Sequence, residues 1–207
     1  MSDFWYLVAM ARDVDLTEAA LMAIIEEGGR RGWRCPEEDV RELRATPSPG
    51  PRGFSLGPLS CYVQDHTEEG RRFLVLGAER WMFRDLVSDE PERRREGWED
   101  WRTLHSFLDA CFPLMKPLWA YGSGEWSFRF DRSNRLIPPS RDQVVKTLRK
   151  RHKPWLVYLG ADLLRDVGEE AIVRSRPKER RQVADGALLF YRTDPFGYGD
   201  EAGTSKP

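Results

Sequence analysis

A continuous hydrophobic run, Phe-Trp-Tyr-Leu-Val-Ala-Met, occupies residues 4–10. A run without polar alternation is typical of a strand that is buried on both faces. Beyond Thr17 the apolar positions recur at helical spacing, at Ala20, Leu21, Ile24 and Ile25, as far as the glycine pair at 28–29. Because glycine commonly follows the last turn of a helix, this part of the chain predicts a central strand followed by a helix.

Three apolar stretches follow a segment that is rich in proline and glycine. Residues 46–58 contain four Pro and three Gly and predict a loop. Residues 59–64, 72–77 and 80–87 predict three strands of an antiparallel meander. The polar residues 65–70 predict the hairpin connection between the first two of these strands.

The strongest helical pattern lies between residues 98 and 119, where apolar residues recur every three or four positions. The charged run 88–97 before it lacks this periodicity and predicts a solvated loop. Pro113 and Pro117 each remove a backbone donor. The helix is therefore expected to end near residue 112 and to be followed by a kink or a second short turn that leads to Trp119.

Short elements alternate in the rest of the chain. The aromatic residues Trp126, Phe128 and Phe130 alternate with polar ones and predict a strand. Ser140 and Gln143 have the spacing of a capping box, in which each residue satisfies a free backbone amide at the start of a helix. The remaining predicted elements are a strand at 155–159, a helical segment at 161–167 closed by Gly168, and a strand at 187–191 after an Asp185-Gly186 turn.

These elements predict a single α+β domain, with a mixed, mainly antiparallel sheet and three or four helices packed on its faces. The domain is expected to span residues 1–195, and residues 196–207 are expected to form a flexible tail. No apolar run approaches the roughly 18 residues of a membrane span, and the first residues lack the features of a signal peptide. We therefore expect a cytoplasmic protein without a membrane partner.

Composition narrows the possible chemistry. The chain has 33 Lys and Arg residues against 34 Asp and Glu residues, a balance that disfavours a dedicated nucleic-acid binder. The sequence contains neither a nucleophile motif nor a metal-ligand spacing, so no catalytic residue, metal or cofactor is expected. His105 lies on the apolar side of a predicted helix and is interpreted as a core residue. The cysteines are interpreted as free thiols, and they are Cys35, Cys61 and Cys111.

Positive charge is concentrated in two clusters. Residues 141–153 contain six Lys and Arg residues, and residues 174–181 contain five. If the two clusters meet in the fold, they can bind phosphate or an acidic protein surface. Three interpretations stay open for them, in order of preference: a solvated face, a surface for an acidic protein, and a surface for nucleic acid. The candidate contacts in these clusters are Arg149, Arg151, Arg180 and Arg181.

A specific order of residues appears at 154–168, where an apolar strand is followed by Leu-Gly-x-x-Leu-x-x-x-x-Gly. A variable stretch at 174–183, Gly186, the apolar residues 187–191 and Pro195 come after it. This order resembles a group of bacterial immunity proteins that protect cells against polymorphic or type VI secretion toxins. Residues 108–122, with Leu108 and the run Pro-Leu-Trp-Ala-Tyr-Gly at 117–122, resemble the helix of that group that ends in a Tyr-Gly turn.

The resemblance implies a non-catalytic protein that binds and neutralises a cognate toxin protein. Trp119, Tyr121 and Trp126 are then candidate interface anchors, since aromatic residues are favoured at interfaces. The alternative interpretation, which the residue types favour, is that they close the core beneath helix and sheet. The loop at 46–58 has no counterpart in the pattern of the group.

Two further function classes remain open. One is an enzyme that acts on nucleotides or nucleic acid, with a site of carboxylates and Arg residues that only the fold assembles. The other is a structural or regulatory protein-interaction module.

Overall fold

Ten strands and six α-helices make up the part of the chain that the structure describes. This computed structural model describes residues 4–11, 18–44, 52–66, 71–124, 127–132, 136–150 and 153–192. The strands are β1 (Phe4–Ala11), β2 (Arg52–Leu56), β3 (Leu59–His66), β4 (Arg71–Glu79), β5 (Pro117–Gly124), β6 (Arg129–Phe130), β7 (Leu136–Ile137), β8 (Leu156–Leu159), β9 (Glu179–Val183) and β10 (Gly186–Phe190). The helices are α1 (Glu18–Gly29), α2 (Glu37–Arg44), α3 (Pro91–Met115), α4 (Arg141–Thr147), α5 (Ala161–Val167) and α6 (Glu169–Ser175). A 3₁₀ helix at Arg80–Val87 connects β4 to α3.

Eight of the strands form one sheet in the order β2-β3-β4-β1-β5-β8-β10-β9, and β6 pairs with β7 separately. Strand β1 is central, because Val8 lies opposite Val75 of β4 on one side and Tyr121 of β5 on the other. The α+β class is confirmed. Each pairing between described strands is antiparallel, so the sheet is more regular than the mixed one predicted, and the short helices α2 and α6 raise the number of helices above four.

Helices cover both faces of the sheet and create two cores. Helices α1 and α3 pack on one face, and Phe112 of α3 stacks on Tyr158 of β8 with ring centroids 4.8 Å apart. Helices α4, α5 and α6 pack on the other face, against Val157 and Leu159 of the same strand. Successive residues of β8 thus point into different cores, which explains why the strand is continuously apolar.

The capping box predicted at the start of α4 is present. The Ser140 Oγ accepts a hydrogen bond from the Gln143 amide at 3.3 Å, and the Ser140 amide donates to the Gln143 Oε1 at 2.8 Å. Ser140 has an extended backbone, as a residue that precedes a helix must. The predicted elements at 4–10, 59–64, 72–77, 155–159, 161–167 and 187–191 also correspond to β1, β3, β4, β8, α5 and β10.

The prediction of a loop over residues 46–58 is wrong for the part that the structure describes. Residues 52–56 form the edge strand β2, which pairs with β3. Phe54 and Leu56 are buried there, under α1 and α2. The proline and glycine content hid this strand, because β2 is held by its pairing and not by its own propensity. Residues 46–51 lie outside the described residues.

Two predictions before the long helix are also wrong. Residues 80–87 form a 3₁₀ helix where a strand was predicted, and α3 begins at Pro91, inside the predicted loop 88–97. The first turns of α3 are exposed on most sides, so they carry no apolar periodicity. Gly97 allows α3 to pack closely against the 3₁₀ helix. A Cβ atom at this position would lie only 2.7 Å from the Asp85 carbonyl carbon, so a larger residue would force the two helices apart.

Helix α3 continues past Pro113 and ends at Met115, and Lys116 leaves it in a left-handed conformation with φ of 42°. Pro117 then begins β5. Trp119 and Tyr121 therefore lie on a strand, and the predicted helical turn and Tyr-Gly turn are wrong. The strand predicted at 126–130 is reduced to β6, and Trp126 lies outside the described residues.

The C-terminal hairpin turns one residue earlier than predicted, at Ala184 and Asp185, between β9 and β10. Helix α6 and strand β9 had no recognisable sequence pattern. Residues beyond 192 lie outside the described ones, so the domain boundary at 195 and the tail at 196–207 stay predictions. Among the described helices, none combines the length and the apolarity that crossing a membrane requires.

Candidate functional site

The two basic clusters meet around a groove of about 1090 Å³. Its walls come from the C-terminal end of α4, from α5 and α6, and from the residues that follow β10. The residues that line it are Val145, Leu148, Arg149, Lys150, Lys153, Asp166, Val167, Ala171, Arg174, Ser175, Arg176, Tyr191 and Arg192. The groove therefore joins both basic clusters to the end of the sheet.

Backbone geometry fixes the walls of the groove. Helix α6 ends at Arg176, which adopts a left-handed conformation with φ of 56° and turns the chain back toward the sheet. The Tyr191 amide then donates to the Trp155 carbonyl at 2.8 Å. This bond holds the residues after β10 beside the segment that leads from α4 into β8, so Arg176 and Arg192 are brought to the same groove as Arg149.

The charge of the groove is strongly unbalanced: its described lining residues carry six cationic side chains and one carboxylate, that of Asp166. Asp166 is already paired with Arg141, and Arg174 is paired with Glu170. The other Arg residues and Lys150 form no ion pair with any described residue, and they are Arg149, Arg176 and Arg192. A concave surface with uncompensated charge of one sign attracts ligands of the opposite sign.

The floor of the groove is apolar and aromatic. Leu148 and Tyr191 are buried at its base, and Ala171 and Val167 flank them. The Tyr191 hydroxyl is hydrogen-bonded to the Ser175 Oγ at 2.8 Å. Burial raises the pKa of the Tyr191 phenol, although the bond to Ser175 opposes this shift. The phenol therefore stays neutral and presents no negative charge to the rim.

Lys153 links the rim to the floor. Its ammonium group donates to the Leu148 carbonyl at 2.6 Å and lies 5.3 Å from the centre of the Tyr191 ring. Desolvation lowers the pKa of Lys153. Among the described residues that line it, the groove has cations around an apolar base and neither histidine nor cysteine. This arrangement can bind an anion.

A second cleft, of about 520 Å³, lies on the opposite face of the sheet between α3 and β9. Arg181 occupies it: its Nη1 donates to the Asp109 Oδ2 at 2.7 Å and its Nη2 donates to the His105 Nδ1 at 3.3 Å. Its guanidinium also lies 5.0 Å from the centre of the Phe190 ring. These contacts connect helix α3 to the edge strand of the sheet.

The titratable groups of this cleft are perturbed. Burial, aided by the charge of Arg181, lowers the pKa of His105 to about 4. Burial raises the pKa of Asp109 in spite of Arg181, whereas the hydrogen bond from Arg181 lowers the pKa of Glu179. At neutral pH the cleft therefore contains a neutral imidazole.

His105 occupies the partly buried core position that the sequence favoured. Its ring stacks on Phe190 at 4.8 Å and meets Trp101 edge-on at 4.2 Å. The Nε2 atom is buried and has no hydrogen-bond partner among the described residues. Since Nδ1 accepts from Arg181 and Nε2 is enclosed, the imidazole is not placed to exchange protons with a substrate.

The candidate interface residues that were predicted from the sequence lie in different parts of the structure. Arg149 lines the groove, Arg180 is paired with Glu169, and Arg181 lies in the second cleft. Trp119 and Tyr121 are only 3% and 8% exposed, in the core beneath α4 and α5, which is the alternative that the sequence left open for them. Arg151 and Trp126 lie outside the described residues.

Several groove residues were not singled out from the sequence. Lys153 and Arg176 belong to the two basic clusters, so the sequence identified them only as members of a charged segment and not as candidate contacts. Arg192 and Tyr191 lie outside both clusters, and nothing local in the sequence distinguishes them. Across the residues that the structure describes, no group of three or more His, Cys, Asp or Glu side chains is arranged to hold a metal ion.

The fold and the groove together define an α+β protein with an antiparallel sheet, helices on both faces and a groove lined by basic residues. No protein-family model matches the chain, and no curated protein matches it. A solved structure of the Pseudomonas aeruginosa T6SS protein PA0821 is similar in fold, with a TM-score of 0.50 and 12% sequence identity. The similarity covers 92% of this chain and 67% of that chain. At this identity the similarity shows the fold alone.

Proposed function

We propose that this protein is an immunity-type protein that binds and neutralises a cognate bacterial toxin, and that the basic groove is its docking surface. The observation that carries the proposal is the convergence of two basic clusters, distant in sequence, around one groove. A partner with an acidic surface complements the groove. Neutralisation then requires only that the bound protein covers a functional part of the toxin.

Unpaired cations favour such binding. Arg149, Arg176 and Arg192 have no carboxylate partner among the described residues, so a partner's carboxylates gain ion pairs without breaking existing ones. Guanidinium groups bind carboxylates with two parallel hydrogen bonds, which adds specificity to attraction. Complementary charge also accelerates association, a property that suits a protein that must intercept a toxin.

The resemblance and the fold support the same proposal. The residues that carry the resemblance, 154–168, form β8 and α5, and α5 contributes Asp166 and Val167 to the groove. The similarity in fold to a protein described as a T6SS protein is compatible with a role connected to secreted toxins. The chain's own basic groove adds a surface through which this role would be performed.

Co-expression tests the proposal. Each reading frame beside the gene is expressed in a bacterial host alone and together with this protein. We expect one frame to arrest growth alone and to be harmless in the presence of this protein. Growth arrest by none of the neighbours, or arrest that this protein does not relieve, contradicts the proposal.

Charge reversal connects the rescue to the groove. The double substitution Arg149→Glu and Arg176→Glu is expected to abolish rescue, because it replaces two unpaired cations with carboxylates. Arg102→Glu is the matched control, since Arg102 is exposed on α3 across the sheet from the groove. The control is expected to retain rescue. Equal loss in both variants would show that the groove is not the docking surface.

A further inference from the structure

We infer that the groove accepts one kind of partner segment: a carboxylate-rich stretch of polypeptide with an apolar or aromatic side chain at its centre. This inference rests on the proposed function, because it specifies the part of the partner that docks. It follows from the difference between the rim and the floor of the groove.

The rim selects carboxylates on the segment. Arg149 and Lys150 follow α4, whereas Arg174 and Arg176 lie at the C-terminal end of α6. Arg192, which follows β10, lines the same groove. Cations supplied by three separate parts of the chain fit a segment that presents several acidic side chains, and they fit a single point charge less well.

The floor selects an apolar group. Leu148, Val167 and Ala171 offer carbon surface among the charged residues. A partner that carries only charges leaves this surface in contact with water, whereas a partner with one large apolar side chain covers it. Burial of apolar surface between desolvated charges is typical of the strongest contacts in protein interfaces.

The same floor disfavours nucleic acid. Proteins that bind single strands stack bases on exposed aromatic rings. Tyr191 is only 8% exposed, and the ammonium of Lys153 lies over its ring. The described lining residues therefore have the charge to attract a phosphate backbone but offer no exposed ring to hold a base, and charge complementarity with an apolar centre favours a polypeptide.

Fluorescence anisotropy with two labelled peptides tests the inference on the full-length protein. Both peptides contain six Glu and Asp residues; one has a central Trp and the other has Ser in its place. We expect the Trp peptide to bind about tenfold more tightly than the Ser peptide at the same salt concentration. A labelled oligothymidylate of similar charge is expected to bind more weakly than the Trp peptide.

Variants separate the rim from the floor. Arg149→Glu with Arg176→Glu is expected to weaken both peptides by more than tenfold, and Arg102→Glu is expected to change neither. Val167→Thr, which keeps the volume and adds a hydroxyl to the floor, is expected to reduce the advantage of the Trp peptide and to leave the affinity of the Ser peptide unchanged. Ala171→Ser is a second floor variant if Val167→Thr lowers the melting temperature.

Two results of these measurements overturn the inference: equal affinity of the two peptides, or tighter binding of the oligothymidylate. A third is tested with the triple variant Asp194→Asn, Asp200→Asn and Glu201→Gln, which neutralises acidic residues of the chain itself. If the peptides bind this variant but not the natural chain, the chain's own acidic segment is the occupant and the inference is overturned. If the protein prefers the Trp peptide but does not rescue growth in cells, the proposed function is contradicted and the inference about the groove stands. If the protein rescues growth but shows no preference for the Trp peptide, the inference is contradicted and the proposed function stands.

Discussion

Arg181 on the edge strand β9 donates a hydrogen bond of 2.7 Å to Asp109 on helix α3, and so joins the outermost strand to the longest helix. The pair is only partly buried, and the pKa of Asp109 is raised, first by burial and also by the charge of Glu179, although Arg181 opposes the shift. The charged form of Asp109 is therefore disfavoured at this position in spite of its ion pair. Arg181, in contrast, also holds His105 and covers Phe190.

Substitution of the two partners is expected to have unequal effects. Arg181→Ala leaves the charge of Asp109 without its guanidinium and is expected to lower the free energy of unfolding by about 1–2 kcal/mol. Asp109→Asn removes a poorly solvated charge and is expected to change it by less than about 0.5 kcal/mol. Urea denaturation at pH 7 measures both. Equal losses in the two variants would mean that the ion pair, and not the arginine, stabilises this contact.

The neutral imidazole of His105 makes stability depend on pH. Its pKa in the folded protein is about 4, below its ordinary value of 6.5, so the unfolded chain binds a proton more readily. The contribution of His105 to the free energy of unfolding is therefore fully present above about pH 6.5 and is lost as the pH falls toward 4, which lowers the free energy of unfolding by up to about 3 kcal/mol. Arg181, Glu179 and Asp109 face the ring and stay the same in the test variant, His105→Phe.

Denaturation between pH 6.5 and 5 tests this dependence, because most carboxylates remain charged in that range. The slope of unfolding free energy against pH is expected to be much smaller in His105→Phe than in the natural chain. A phenyl ring can retain the stacking on Phe190. The same slope in both proteins would assign the pH dependence to other groups.

Gly186 is expected to tolerate no side chain. A Cβ at this position would collide with the Leu159 carbonyl oxygen and lie 2.5 Å from the Tyr158 hydroxyl. Gly186→Ala must push β10 away from β8, and we expect a loss of about 2–4 kcal/mol. Gly53→Ala in β2 is the control, because its nearest contact is at 3.8 Å and it is expected to be close to neutral. Thermal unfolding of the two variants compares them.

The capping box gives a smaller and more specific effect. Ser140→Ala removes the acceptor for the Gln143 amide and is expected to cost about 1 kcal/mol. Ser140→Asp keeps an acceptor at the helix start and is expected to retain most of the stability. Chemical denaturation of both variants checks this order. A larger loss for aspartate than for alanine would contradict the role assigned to the cap.

Sequence patterns within a few residues were sufficient to predict the elements whose own residues carry the pattern. The periodicity of α1 and the capping box of α4 are encoded within a few residues, and both appear as predicted. The apolar run of β8 likewise identified a strand buried on two faces. In each case the residues that form the element also carry the pattern that reveals it.

Elements that depend on contacts with a neighbouring element were missed. Strand β2 is held by its pairing with β3, and the first turns of α3 are placed by Gly97 against the 3₁₀ helix. In β2 the alternation of Phe54 and Leu56 was obscured by the surrounding prolines and glycines. The basic groove shows the same division: sequence located its two charged clusters, but only the course of the chain through β8, α6 and β10 brings them together.

The central position of β1 affects how the protein is made. Leu7 pairs with Leu76 of β4 and with Gly122 of β5, both far along the chain. A ribosome extends a chain by about 5–20 residues each second, so residues 4–11 emerge several seconds before either neighbouring strand exists. Such long-range pairing slows folding. As an apolar strand with two open edges, β1 is thus prone to misassociation in the nascent chain until β4 and β5 have been made.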